Sequence, residues 1–304
     1  MTSRDTKHPR HRHGARPGSS KREDRGKPKG HFGKPHSHQP KPRSQPPAAT
    51  PPAVPPPRSN LERIFGTHSV RAVLLARPRA VRRMLIAGED VDYHRELVDL
   101  AKEKQVEIEF IGWPEFLKLG AFTREEKHQG VFVFAEPRRL YGESDFALLE
   151  DASVVIALDQ VSNPQNFATI LRTAAFFGAD GVMILRNRSV DVSSEVVRYA
   201  VGGAEFVKIF RVVNLSQSLD ALREMGFTVI GLDERGDRTL AQTAFNRKVV
   251  LVIGAEGEGL RQKTRGYCDE LVRVPGGRPG VESLNAGVAT AVALAEIFRG
   301  PSTV

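Results

Sequence analysis

From residue 151 onward the chain reads as short, almost uninterrupted Val/Ile/Leu runs at 154–158, 182–185, 206–210, 228–232, 249–253 and 271–274. They alternate with stretches whose apolar residues recur at helical spacing. Aliphatic runs of this kind suit strands buried on both faces, so the pattern predicts a parallel α/β sheet flanked by helices. Residues 60–139 are shorter and more mixed: an apolar helix at 70–75, strands at 82–87, 106–110 and 131–134, and a polar helix at 93–104. They predict a small α/β domain, separated from residues 151–304 by the polar connection 138–151. Residues 1–59 carry neither periodicity, and the first 58 contain no Ile or Leu. Such a stretch buries too little apolar surface to offset its ordering entropy and is expected to be disordered.

Charge sharpens this division. The 304 residues have a formal net charge of +9, but the first 58 hold 14 Lys/Arg against Asp5, Glu23 and Asp24, which leaves the body near −2. A basic, proline-rich tail attracts polyanions without reading their sequence, because each neutralised phosphate releases counterions. RNA is the natural partner, with a solubilising extension as the plain alternative. His8, His11, His13, His31, His36 and His38 lie in this tail at irregular spacing, and no metal site is expected from them. Residues 51–57 resemble a polyproline spacer. The single cysteine, Cys268, excludes an internal disulfide. With no apolar run near the roughly 20 residues needed to span a bilayer and no apolar signal core, no membrane association is expected and the protein is expected in the cytoplasm.

Ligands of parallel α/β sheets bind beyond the carboxyl ends of the strands, so the residues following each run carry the most information. After 154–158 come Asn163-Pro164-Gln165-Asn166 and a helix containing Arg172. Six residues place Asn166 and Arg172 about 120° apart around that helix. Either Asn163 or Asn166 could cap it. After 249–253 comes Gly254-Ala255-Glu256-Gly257-Glu258-Gly259, where glycines would let a ligand approach the backbone. Its two glutamates oppose a pyrophosphate and its spacing is not that of a dinucleotide loop, so the ligand is neutral, cationic or bound through the main chain. After 271–274 come Pro275 and a glycine-rich turn leading to Ser283-Leu284-Asn285, where Ser283 or Asn285 could cap the last helix.

The ordered trio resembles the SpoU (TrmH) branch of the SPOUT RNA methyltransferases over about residues 60–299. The motifs are Asn163-Pro164-Gln165-Asn166 with Arg172-Thr173-Ala174 and Gly178-Ala179-Asp180, then 254–259, then Val274-Pro275 with Ser283-Leu284-Asn285. Gly202-Gly203-Ala204-Glu205 resembles a further family segment. Residues 64–70 and His128-Gln129-Gly130 are similar to parts of the L30e-like substrate-binding domain fused to many members. Phe167-Ala168 and Ala286-Gly287 depart from the usual residues, and the turn containing Arg278-Pro279 is about one residue long.

The resemblance implies a trefoil-knotted parallel-sheet methyltransferase domain at 151–304, an L30e-like domain at 60–139, a basic tail at 1–59 and a homodimer. It implies S-adenosylmethionine as cofactor, bound by Gly254, Val274 and Leu284, and methyl transfer to an RNA ribose 2′-hydroxyl without a metal. Asn166, Arg172, Glu256, Ser283 and Asn285 would form the catalytic set. Asn166 and Ser283 would orient the ribose and Arg172, Glu256 would restrain Arg172 or the RNA, and Asn285 would fix the cofactor loop. Ribosomal RNA is the expected substrate, with a tRNA ribose, a catalytically silent assembly factor and, more distantly, a dehydrogenase as alternatives. Deleting residues 1–58 is expected to weaken RNA affinity and flatten its salt dependence while cofactor affinity stays the same; an unchanged salt slope in filter binding would leave the tail only a role in solubility.

Overall fold

The short runs between residues 62 and 135 fold around a four-stranded sheet. Its elements are β1 (Glu62–Phe65), α1 (Thr67–Ala76), β2 (Val81–Ala87), α2 (Arg95–Glu103), β3 (Ile108–Ile111), α3 (Trp113–Gly120) and β4 (Val131–Ala135), with strand order β1-β4-β2-β3. This computed structural model describes residues 60–88, 92–124, 126–187, 189–276 and 283–299, all within one compact unit, Ala53–Val304. The expected disordered tail with its six histidines and proline run, and the Arg278-Pro279 insertion, lie outside the described residues.

Alternation along β2 builds two small cores. Met84 and Ile86 pack with Val70, Leu74 and Val98 on the face of α1 and α2, whereas Leu85 and Ala87 join Phe116 and Phe132 on the face of α3. Gly66, at φ 84°, turns β1 into α1, and the Gln129 side-chain oxygen accepts from the Thr67 N–H at 3.0 Å. The two segments that carried the N-terminal resemblance therefore hold each other. His128 accepts from the Gly130 N–H through Nδ1 at 3.1 Å and lies against the rings of Phe116 and Phe122; burial pushes its pKa down.

The later runs form β5 (Val154–Asp159), α4 (Pro164–Phe177), β6 (Gly181–Leu185), α5 (Ser194–Tyr199), β7 (Lys208–Val212), α6 (Leu215–Glu224), β8 (Thr228–Leu232), β9 (Arg238–Thr239), β10 (Val249–Gly254), α7 (Gln262–Arg265), β11 (Glu270–Arg273) and α8 (Ala286–Phe298). The seven strands run in the order β7-β6-β5-β10-β8-β11-β9, every neighbouring pair parallel. Central β5 and β10 are buried throughout. Ile156, Leu158, Leu251 and Ile253 face a core completed by α4 and α8, while Val155, Ala157, Val250 and Val252 face one completed by α6. Helix α8, which follows β11 in sequence, lies against α4 and touches β10. At that contact a side chain on Gly287 would reach within 2.7 Å of the Thr169 methyl, which gives the unusual Ala286-Gly287 pair a packing role.

Several elements differ from the sequence expectation. Strand β7 begins at Lys208 instead of residue 206, because exposed Phe206 still belongs to the preceding turn. Strand β1 went unread because its four residues include Glu62 and Arg63, and α3 because Pro114 falls near its start. Proline is accepted in a first helical turn, where the missing N–H has no intrahelical partner.

Burial pushes the Cys268 thiol up to about 12, from 9.0, with Asp269 and Asp159 adding to the rise. Folded protein should therefore resist iodoacetamide near pH 8 and react once denatured. An unfolded thiol ionises first, so this group's contribution to stability is complete below about pH 9 and declines as pH rises toward about 12. Denaturant midpoints across that range should fall more for the wild type than for Cys268→Ala.

Candidate active site

Buried Asp159, ending β5, accepts from the Arg261 backbone N–H at 3.0 Å and from Arg261 Nε at 2.6 Å, which ties the segment after β10 to its neighbour strand. Between β10 and Arg261 the chain folds back on itself: Ala255 and Gly259 exchange backbone hydrogen bonds of 3.2 and 2.9 Å. A side chain on Gly254 would collide with the backbone of Gly259 and Leu260. The glycine thus first allows the loop to close on its own strand, a physical reason other than the ligand approach read from the sequence.

The Asn163 carboxamide caps α4, accepting from the N–H groups of Gln165 (2.8 Å) and Asn166 (3.3 Å). Asn166, buried in the first turn, donates through Nδ2 to Glu256 Oε2 at 2.9 Å, and its Oδ1 accepts from Asn285 Nδ2 at 2.7 Å. Asn285 in turn caps α8, accepting from the N–H groups of Gly287 (2.9 Å) and Val288 (3.4 Å). The direction of this relay is fixed at both ends. An ionised carboxylate only accepts and a helix N-terminus only donates, so both amides have one consistent orientation. One residue from each motif is thereby joined across 119 positions of sequence.

Arg172 stands apart. It is exposed on α4, and among the described residues it makes no hydrogen bond or ion pair within the chain. Glu256, expected to restrain Arg172 or the RNA, accepts from Asn166, and among the described residues it makes no hydrogen bond or ion pair with Arg172.

Beside the relay lies a cavity of about 580 Å³, and Gly254, Glu256, Val274, Ser283 and Leu284 all line it. Its wall also includes Leu232, Asp233 and Arg235, from the end of β8, which the sequence reading did not single out. Their signal was the apolar run 228–232 followed by a polar turn; that β8 neighbours β10 is a long-range fact that periodicity does not carry. Asp233 is nearly buried, accepting from Arg265 Nε at 2.7 Å and from the Arg235 N–H at 2.9 Å.

Residues 153–295 match the model of the SpoU rRNA Methylase family, and residues 63–141 match that for RNA 2′-O ribose methyltransferase substrate binding. Over 246 residues the chain is 35% identical to the 23S rRNA (guanosine-2′-O-)-methyltransferase RlmB of Pseudomonas syringae pv. tomato, covering 79% of this chain and 96% of that protein. The chain belongs to the SpoU methylase family. Among solved structures it is similar to the SpoU methyltransferase AviRb from Streptomyces viridochromogenes, with a TM-score of 0.63, 25% identity and coverage of 79% and 89% of the two chains. The same AviRb in complex with AdoMet gives a TM-score of 0.63 at 24% identity, with coverage of 79% and 90%.

As a SpoU methylase the protein is an RNA ribose-2′-O-methyltransferase that uses S-adenosylmethionine. The cavity suits that cofactor. Leu232, Ile253, Val274 and Leu284 offer an apolar surface, while the carboxylates of Glu256 and Glu258 suit a molecule bearing a sulfonium and an ammonium.

Asn166→Asp would set two carboxylates against each other where an amide now donates. Their repulsion raises the folded-state pKa of the pair, so the variant's deficit relative to the wild type should be smallest below about pH 4 and grow as pH rises through that folded value. Calorimetry at acid and neutral pH checks the sign, with an expected deficit at neutral pH of about 1–3 kcal/mol.

Proposed function

We propose that this SpoU methylase methylates the ribose 2′-hydroxyl of a guanosine in 23S rRNA, with Asn166, Arg172, Glu256, Ser283 and Asn285 as its catalytic set and Gly254, Val274 and Leu284 as its cofactor binders. The observation that carries the assignment of residues is the Asn285, Asn166 and Glu256 relay at the edge of a cavity lined by two of the three motifs. The choice of substrate is supported by the near-complete match to a 23S rRNA guanosine methyltransferase. Residues 60–139 hold the RNA and residues 151–304 perform the transfer, while the basic tail at 1–59 adds affinity independent of sequence.

When bound, S-adenosylmethionine supplies an activated methyl group. The protein's own residues must then place the acceptor oxygen and ease the loss of its proton. A guanidinium cation has five N–H donors and no free lone pair to take a proton, so Arg172 acts by stabilising the developing alkoxide and by holding a neighbouring phosphate. Asn166 is pre-set by its two hydrogen bonds and does not reorganise during the reaction. Exposed Ser283 presents a hydroxyl to the ribose.

The active form is a homodimer in the cytoplasm. Helix α8 is apolar nearly all round, with Val288 (48%), Val292 (39%) and Phe298 (40%) exposed, and Phe176 of α4 is 83% exposed. A surface helix of that kind calls for a cover, and a second copy supplies one. The placement of α8 against α4 and β10, on the far side of β8 from β11, supports the trefoil knot implied by the family.

Arg172→Ala and Asn166→Ala should abolish methyl transfer to 23S rRNA while leaving the affinity for S-adenosylhomocysteine within about tenfold. Tritium transfer to total RNA, with mapping of the labelled ribose and calorimetric titration of the product cofactor, tests both parts. Near-normal turnover by either variant, or label in tRNA alone, would overturn the assignment.

A further inference from the structure

Between α5 and β7 the chain makes a turn at residues 202–205 that touches both halves of the protein. Gly202, at φ 85°, packs so closely on α1 that a side chain there would collide with the Cβ of Ala72. Its neighbour Gly203 packs against α4, where a Cβ would stand 2.6 Å from the Cα of Arg172 and 3.0 Å from its nitrogen. Two residues on, the Glu205 carboxylate is almost wholly buried. It accepts from Arg77 Nε at 2.6 Å and from Arg138 at 3.0 Å, and Arg138 also donates to the Ala204 carbonyl at 3.1 Å. Arg77 ends α1 and further donates to the Glu136 carbonyl and to Glu62, so two arginines and two glutamates close a neutral cluster. Val201, just before the turn, is held at φ 50°, a conformation a β-branched residue adopts only under constraint from its surroundings.

We propose that Glu205, Arg77 and Arg138, with the Gly202-Gly203 pair, are positioning residues that fix the RNA-holding sheet relative to the α4 backbone at Arg172. RNA gripped by residues 60–139 then meets the arginine at one set distance. None of these residues touches substrate; each acts through Arg172. The inference rests on the RNA-holding role proposed for residues 60–139. Its physical content, a turn without side chains wedged between two helices and locked by buried charges, is independent of that role. A glutamine at position 205 would keep the size and remove the charge, leaving two partly buried guanidinium groups poorly matched.

Two measurements test this. First, spin labels on Lys118→Cys and Gln217→Cys, both exposed positions, report the distance between the two sheets in chains diluted with unlabelled protein. A single narrow distribution is expected for the otherwise wild-type protein, broadening in Glu205→Gln and in the milder Arg77→Gln. A broad distribution before either substitution, or none of the broadening after both, overturns the proposal whatever the RNA. Second, for a long 23S rRNA fragment Glu205→Gln should lower kcat/KM at least about tenfold, since small misplacements remote from the chemistry are costly. For a short oligonucleotide carrying only the target nucleotide, turnover and S-adenosylhomocysteine affinity should match the wild type. Equal losses on both RNAs would overturn the positioning role. Failure of the unsubstituted protein to methylate either RNA would overturn the proposed function and leave the distance measurement to decide the rest.

Discussion

The site depends on one primary amide. Asn166 is placed by the cap of α4 so that its donor side meets a glutamate and its acceptor side meets an asparagine, and no other common side chain of that length offers both. Because the glutamate follows β10 and the asparagine opens α8, the amide ties together two segments far apart in sequence. A buried amide satisfied on both sides is also stiff, since either rotation about its axis would set like atoms together.

A second restraint works beneath it. Arg261 at the N-cap of α7 and Arg265 at its last position reach outward to Asp159 at the end of β5 and Asp233 just after β8, straddling β10 between them. Each pair places a nearly buried carboxylate against a guanidinium, an arrangement that holds only while both partners are present. One short helix therefore sets the spacing of three strand ends, and the cavity opens over that fixed floor. The glycine at the end of β10 belongs to the same construction, because the returning loop takes the space its side chain would fill.

Much of this was legible in advance. The continuous apolar runs marked the strands of the parallel sheet, and the polar turns after β5, β10 and β11 marked residues that the structure brings to one pocket or its rim. The angular separation of Asn166 and Arg172 likewise appears as one buried and one exposed residue. Other features depend on partners distant in sequence. Nothing local distinguishes Ser283 from Asn285 as a cap, and only the finished contact with Asn166 selects Asn285. The end of β8 joined the pocket through strand order, and Glu205, legible only as the last residue of a family-like Gly-Gly-Ala-Glu segment, showed its structural role once Arg77 and Arg138 surrounded it. Short β1 and α3 lacked the length for a period to emerge.

The unattached state of Arg172 has a consequence for selectivity. A long cationic side chain with no partner among the described residues keeps its rotamer freedom, and ordering it costs up to about 2 kcal/mol. In the role proposed for Arg172, that ordering is driven by contacts made elsewhere along the bound RNA. Molecules that dock only through the target nucleotide would be held yet react up to about thirtyfold more slowly, so discrimination would emerge in the speed of the chemical step more than in how tightly a competitor binds.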